Sequence, residues 1–315
     1  MEKPATTTQE RLVQTKGHTE INVSSPYIHL ALRNTTDNFV AGKTKNNINA
    51  WEKITNDRWI LRTICGYTIE VTHTPHQMVI PTPLSFGEFE KENIDTEIIR
   101  FLNCEIIEVV QVPEKAEYIS NIFPRPKKDG ALRIILNLKK FNTDYMAPPH
   151  FKMETLKYAT ESMRHNCYFA SVDLSDAFYS IPVRVADRKY LRFIYKGVKY
   201  QFTALVMGLS TSPRVFSKIM KPVFAHLRAR GYISTSYIDD SCLQGATVTE
   251  CHDNVQATIR LMDSLGLTIN LRKSVLQPHK QVTFLGFILC SETMTVRLTD
   301  NRRDELILLC TKMLM

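Results

Sequence analysis

Residues 234–243 read STSYIDDSCL, and the fold turns on how that stretch is taken. Tyr237 and Ile238 have the character of a buried strand, yet they run directly into two adjacent carboxylates, Asp239 and Asp240. Aspartate is a poor strand former and is seldom buried without a partner. One reading is a polar hairpin tip facing water. The other is a strand that ends in negative charge because something positive belongs there. A second apolar run, Phe169–Val172, also ends in a carboxylate, Asp173. If the two strands are neighbours in one sheet, Asp173 meets Asp239 and Asp240 at one edge. Side chains alternate along a strand, so Asp239 and Asp240 converge only where a tight turn re-aims one of them. Three carboxylates gathered in this way cannot all stay ionised without a counter-charge. A pair of divalent cations supplies one, because hard metals take oxygen ligands. Two such ions, about 3.5–4 Å apart, clamp the attacking and leaving oxygens of a phosphoryl transfer.

Around this stretch the chain has an ordinary globular composition. It has 315 residues, 43% hydrophobic and 23% charged, enough for one large domain or two ordinary ones. No uninterrupted apolar run approaches about 18 residues, so no membrane span is expected. The opening MEKPATTTQE lacks the apolar core of a secretory signal. Seven cysteines stand singly, without a C-x-x-C pair, which fits reduced thiols in an intracellular protein of the cytoplasm or nucleus. A formal net charge of +8 favours a nucleic acid or phosphate partner without deciding it.

Residues 1–48 are rich in Thr, Asn, Lys and Glu and are expected to be a flexible N-terminal segment. Residues 49–117 read as a helical and strand extension: an apolar patch at Trp51, Ile54, Trp59 and Ile60, then strand-like YTIEV. An amphipathic helix follows through Ile94, Ile98, Ile99 and Leu102. Two strand-like runs, Tyr118–Phe123 and Leu132–Leu138, flank RPKKDG and predict a hairpin with a basic tip. A helix is expected over HFKMETLKYATESM. A second hairpin should turn at Lys196-Gly197. The clearest helix begins at Ser212 as N-cap with Pro213 at its first position, kinks at Pro222 and ends at Gly231. From residue 168 the order is strand, hairpin, helix, hairpin, helix and a strand, VTFLGFIL. That is an α+β layout, a mainly antiparallel sheet with helices on one face.

The motifs also stand in a telling order: KKDG (127–130), LNLKKFN (136–142), SVDLSDAFYSIPV (171–183), GLSTSPRVF (208–216), YIDD (237–240), LGLTINLRKS (265–274) and FLGFIL (284–289). Over about residues 118–290 this set resembles the successive motifs of a reverse transcriptase, an RNA-directed DNA polymerase. IFPRPKKDG, ILNLKKFN and HFKMETL are similar to retrotransposon enzymes of the DIRS-like or long-terminal-repeat kind. The resemblance implies a right-hand polymerase fold, with fingers and palm over 118–290. Residues 291–315 would begin a thumb and be too few to complete one, so the thumb is largely absent and the domain truncated at its C-terminus. The apolar face of the last helix would lie bare.

By the same resemblance, Asp173, Asp239 and Asp240 would bind two magnesium ions, with manganese as a substitute, helped by the backbone carbonyl of Leu174. Lys127 or Lys128 and Arg133 would hold the triphosphate of the incoming nucleotide. Asp176 and Ala177 would line its sugar–phosphate pocket, Phe178 would exclude a ribose 2′-hydroxyl, and Met207 and Gly208 would lie beneath it. Lys273 would donate a proton to the departing pyrophosphate, and FLGF would grip the primer end. The partners implied are a primed RNA or DNA template, deoxynucleoside triphosphates and other regions of the element's polyprotein, with no membrane. Val206 and Met207 stand where the family usually carries Pro and then Phe or Gln, and Asn137 stands where it often has Asp. The alternative is an inactive or domesticated element fragment that only binds nucleic acid. A third reading, an RNA-templated RNA polymerase or a nucleotide cyclase on a similar palm, sits poorly with Phe178.

Overall fold

Strand alternation explains where the central sheet of this protein puts its charges. The computed structural model describes residues 39–126 and 132–314. In chain order the elements are α1 (Ile48–Glu52), α2 (Arg58–Cys65), α3 (Glu88–Asn103), β1 (Ile107–Val109), β2 (Ile122–Pro126), β3 (Leu132–Leu136), α4 (Lys139–Tyr145) and α5 (Leu156–Ser162). There follow β4 (Tyr168–Asp173), β5 (Arg192–Tyr195), β6 (Val198–Phe202), α6 (Ser212–Arg228), β7 (Ile233–Tyr237), β8 (Asp240–Gly245) and α7 (Val248–Ser264). The chain closes with β9 (Val275–His279), β10 (Gln281–Phe284), β11 (Phe287–Cys290), β12 (Thr295–Leu298) and α8 (Asp300–Leu314). The architecture is α+β.

The central sheet runs β7-β8-β4-β9, antiparallel throughout. On β4, Ala170 and Val172 join Leu243 of β8 in the main core, which the apolar faces of α6 and α7 complete. Phe169 and Cys242 point the other way, into a smaller core with Ala159 and Met163 beside α5 and with Val282, Phe284 and Leu289 of β10 and β11. Asp173 shares the parity of Phe169, and Asp240 that of Cys242. Both carboxylates therefore lie on the face opposite α6 and α7. The two long helices do cover one face, as expected, and among the described residues the second face is covered by α5 and the small sheet.

That small sheet is β10-β11-β12, and its first hairpin turns at Leu285 and Gly286, φ 52° and 78°. The expected single strand VTFLGFIL is thus two strands, because two successive left-handed residues fold it back on itself. β12 pairs with β11, so a boundary at residue 290 would cut through the sheet. The third sheet is β1-β6-β5, with the expected turn at Lys196-Gly197. β2 and β3 form the expected hairpin, in register from Ile122↔Leu136 to Pro126↔Leu132. Its tip, residues 127–131, lies outside the described residues, as do residues 1–38.

Several expectations need correction. Residues 39–48 belong to the fold: Phe39 and Ala41 are buried, and the Thr44 hydroxyl donates to the carbonyls of Ile64 and Ser180. Trp51 is wholly buried and its indole N–H donates to the Leu265 carbonyl, fastening this extension to the far side of the core. YTIEV is extended but forms no strand. Tyr67 pairs only with Val183, in a parallel bridge flanked by Pro182, which has no N–H with which to extend a ladder. The helix expected over 150–163 is confined to α5. Ser212 is not the N-cap of α6 but its first residue, and its hydroxyl donates to the Val206 carbonyl instead. In α8, Leu306, Ile307, Leu308 and Leu309 are all exposed, so the bare apolar surface expected of the last helix is present.

Candidate nucleotidyl-transfer site

Asp173 and Asp240 are directly opposite one another on β4 and β8. Tyr237 pairs with Asp240, leaving Ile238 and Asp239 as a two-residue turn. Ile238 has φ 54°, a costly conformation for a β-branched residue. That turn re-aims Asp239, and the backbone N–H of Leu174 donates to the Asp239 carbonyl at 2.9 Å, locking the hairpin tip to the end of β4. The end of β4 is itself fixed by the segment before β9. Asn270 N–H donates to the Asp173 carbonyl, Ser175 N–H to the Thr268 carbonyl, and the Asp173 N–H to the Ser274 hydroxyl.

The electrostatics follow from that crowding. Burial and the Asp239 charge push the Asp173 carboxyl up to about 6, against Lys273 and a hydrogen bond from Asn270. Burial, then the charges of Asp173 and Asp239, push Asp240 up to about 7, against hydrogen bonds from the backbone of Leu285 and Ser241. The Leu285 contact brings the FLGF turn to the carboxylates. Asp173 Oδ1 is buried with no hydrogen-bond partner. Among the described residues no three carboxylate, imidazole or thiol groups are drawn together tightly enough to enclose a metal ion by themselves. The donors nevertheless fit a hard divalent cation in kind: they are carboxylate oxygens, one is orphaned, and burial with neighbouring negative charge raises the pKa of two of them, a penalty that a bound cation would relieve. Magnesium commonly takes only one or two protein carboxylates, completing its shell with water and substrate phosphate.

The next turn carries Asp176, Ala177 and Phe178. Asp176 sits in the left-handed region, φ 48° and ψ 40°, at the head of a 3₁₀ turn over Ala177–Ser180. Its carboxylate is held by Arg100 of α3, Nη1 to Oδ2 at 2.8 Å and Nη2 to Oδ1 at 3.4 Å. The Phe178 ring is half-buried, edge-on to Phe216 of α6 at 5.8 Å. Met207 and Gly208 lie in the loop before α6. A Cβ at Gly208 would stand 2.1 Å from the Leu136 carbonyl oxygen, and φ there is 110°. Asn142 clamps this loop from α4, donating to the Gly208 carbonyl at 2.7 Å and accepting from the Ser210 N–H at 3.0 Å.

The structure thus brings Asp173, Asp239, Asp240 and Lys273 together, with Leu174 at the junction. The Asp176–Phe178 turn follows directly in the chain. Arg133 is exposed on β3 opposite Arg125, and its charge reaches Tyr179, next to Phe178. Lys127 and Lys128 lie outside the described residues. Arg100 and Asn142 were not foreseen from the sequence. Arg100 was hidden in a helix with a plain apolar stripe, 76 positions before its partner. Asn142 ends the LNLKKFN motif, and nothing in its neighbours marks it as a clamp.

With this geometry in hand, comparison with known proteins is direct. Residues 125–289, more than half the chain, match the family described as reverse transcriptase (RNA-dependent DNA polymerase). The chain is 24% identical over 244 residues to the Tf2-3 transposon polyprotein of Schizosaccharomyces pombe, covering 76% of this chain and 18% of that one. It is 25% identical over 186 residues to the retrovirus-related Pol polyprotein of the Drosophila melanogaster transposon opus, covering 57% of this chain and 18% of the relative. It therefore spans less than a fifth of the length of these relatives. Among solved structures, the foamy viral protease–reverse transcriptase in complex with double-stranded DNA superposes with a TM-score of 0.63. The identity is 20%, over 91% of this chain and 59% of that one, and what the likeness shows is the fold. The order of motifs, the hairpin of paired aspartates and the family match agree: this chain belongs to the reverse transcriptase family.

Proposed function

We propose that the chain performs RNA-directed DNA synthesis, joining a primer 3′-oxygen to the α-phosphorus of a deoxynucleoside triphosphate as the bond to pyrophosphate breaks. The observation that carries this reading is the register of Asp173 against Asp240, with Asp239 turned beside them, on the face that α6 and α7 leave open. Asp173, Asp239 and Asp240, with the Leu174 carbonyl, would hold two magnesium ions. Such ions neutralise charge and align the reacting oxygens.

The protein's own groups do the rest. Lys273, close enough for its charge to draw on Asp173, protonates the leaving pyrophosphate. Arg133, with Lys127 or Lys128, offsets the triphosphate charge. The Asp176–Ala177 backbone and the Met207–Gly208 loop set the nucleotide between them. Phe178, braced by Phe216, fills the space a ribose 2′-hydroxyl would need. Most of the rate gain is positioning and charge neutralisation. The template is RNA or DNA bearing a primer, and the remaining regions of an element polyprotein are the natural covalent partners.

The test is primer extension on an RNA template with magnesium and the four deoxynucleotides, comparing the parent chain with Asp239→Asn. The parent extends and the variant does not. Equal extension by both would refute the site. Duplex binding with no incorporation by the parent, under magnesium or manganese, would select a binding-only element fragment instead.

A further inference from the structure

Asp176 poses a problem for the proposed site, because its carboxylate sits beside the backbone that would receive a triphosphate. An unpaired carboxylate there would repel the phosphates. Arg100 removes the difficulty in two ways. Its guanidinium takes both Asp176 oxygens, at 2.8 and 3.4 Å, and through Nε and Nη2 also takes both Glu97 oxygens, at 2.9 and 2.8 Å. The Glu97 fork fixes the rotamer of Arg100 from its own helix, one turn away. Burial disfavours the guanidinium charge but the two carboxylates outweigh it, and Arg100 is held above its ordinary pKa. The 176–180 turn is braced elsewhere by Gly42 N–H on the Tyr179 carbonyl and by Thr44 on the Ser180 carbonyl. Asp176, in its left-handed conformation, has Arg100 as its ion-pair partner.

We infer that Arg100 is a positioning residue for the incoming nucleotide: it turns the Asp176 carboxylate aside and neutralises it, so that the backbone of Asp176 and Ala177 faces the triphosphate. This rests on the polymerase reading of the site. It assigns specificity for a triphosphate-bearing substrate to a residue on α3, outside every motif of the sequence. Glu97 aims Arg100 from one turn away on the same helix and shares its charge.

The experiment measures KM and kcat for a deoxynucleotide in Arg100→Met, Asp176→Asn and the double variant. Arg100→Met should raise KM about tenfold through like-charge repulsion, with kcat within about twofold of the parent. Asp176→Asn in the Arg100→Met background should bring KM back toward the parent value, because the carboxylate beside the triphosphate-binding backbone is gone and only that of Glu97 stays unpaired. A brace of the fold alone would give the reverse, losses that add, and a double variant with KM no lower than Arg100→Met overturns the inference. Amide exchange supplies an arm independent of turnover. Arg100→Met should speed exchange at residues 175–178 and leave 233–245 unchanged, and unaltered exchange at 175–178 also overturns it. Failure of the parent to extend a primer, with the exchange result as expected, would sink the polymerase reading and the nucleotide role of Arg100 with it, while showing that Arg100 still holds the 175–178 turn. Arg100→Lys, which keeps the charge but loses the fork, should fall between parent and Met in KM.

Discussion

At the scale of single residues, the site is a set of carboxylates that the fold holds in a conformation they resist. Asp240 is raised from 3.8 to about 7, so its ionisation opposes folding. A raised acid contributes stability that is complete below its unfolded value and is lost as pH climbs through its folded one. In metal-free protein, Asp240→Asn should therefore raise the melting temperature by an amount that grows from about pH 4 to pH 7 and is level above. Thermal melts of both proteins across that range check it, and a constant difference would contradict the assignment. Phe178→Val should admit ribonucleotides, raising their incorporation relative to deoxynucleotides by about tenfold or more. Competition between the two substrates reads this directly. The three aspartates were legible in the sequence because carboxylates that end two apolar strands demand a counter-charge. Their common face was not, since strand parity needs the register, and the register depends on the turn at Ile238.

At the scale of elements, turns decide the geometry. The Ile238–Asp239 turn presents one carboxylate, and the Leu285–Gly286 turn brings a backbone N–H to another. Gly208 lets the loop before α6 pass over β3. Gly208→Ala would drive a methyl into the Leu136 carbonyl and force φ 110° on a side-chain-bearing residue. The backbone strain alone costs about 1–3 kcal/mol, and urea unfolding should show a loss at least that large. A neutral result would mean that the loop and β3 are not so closely apposed. Hairpins marked by Lys196-Gly197 and FLGF were readable from their glycines. The YTIEV segment misled because alternate burial of Tyr67 and Ile69 imitates a strand. Its backbone partners are instead Pro182 and the Asp187 carboxylate, which single-sequence patterning does not reveal.

At the scale of the whole molecule, distant segments lock the site from behind. Arg192, the most deeply buried cation of the β5–β6 hairpin, binds Glu114, Glu117 and Gln201 and ties the segment before β2 to that sheet. Arg192→Met should destabilise by about 2 kcal/mol, less than a fully enclosed pair would, because both glutamates reach solvent. Denaturant titration measures that, and an unchanged midpoint would show the network to be idle. The α+β plan and the motif order were visible from the sequence. The attachment of residues 39–65 was not, because Trp51 and Thr44 find their partners across the core. No helix among the described residues is long and apolar enough to cross a membrane. The central claim is that paired aspartates on the open face of the β4–β8 sheet drive metal-dependent nucleotidyl transfer. The most direct measurement is single-nucleotide incorporation into a primed RNA template as a function of magnesium, for the parent and Asp173→Asn. Incorporation should vanish with chelator, rise with magnesium more steeply than a single ion would give, and be absent in the variant. Incorporation that survives chelation, or that Asp173→Asn supports as well as the parent, would contradict it.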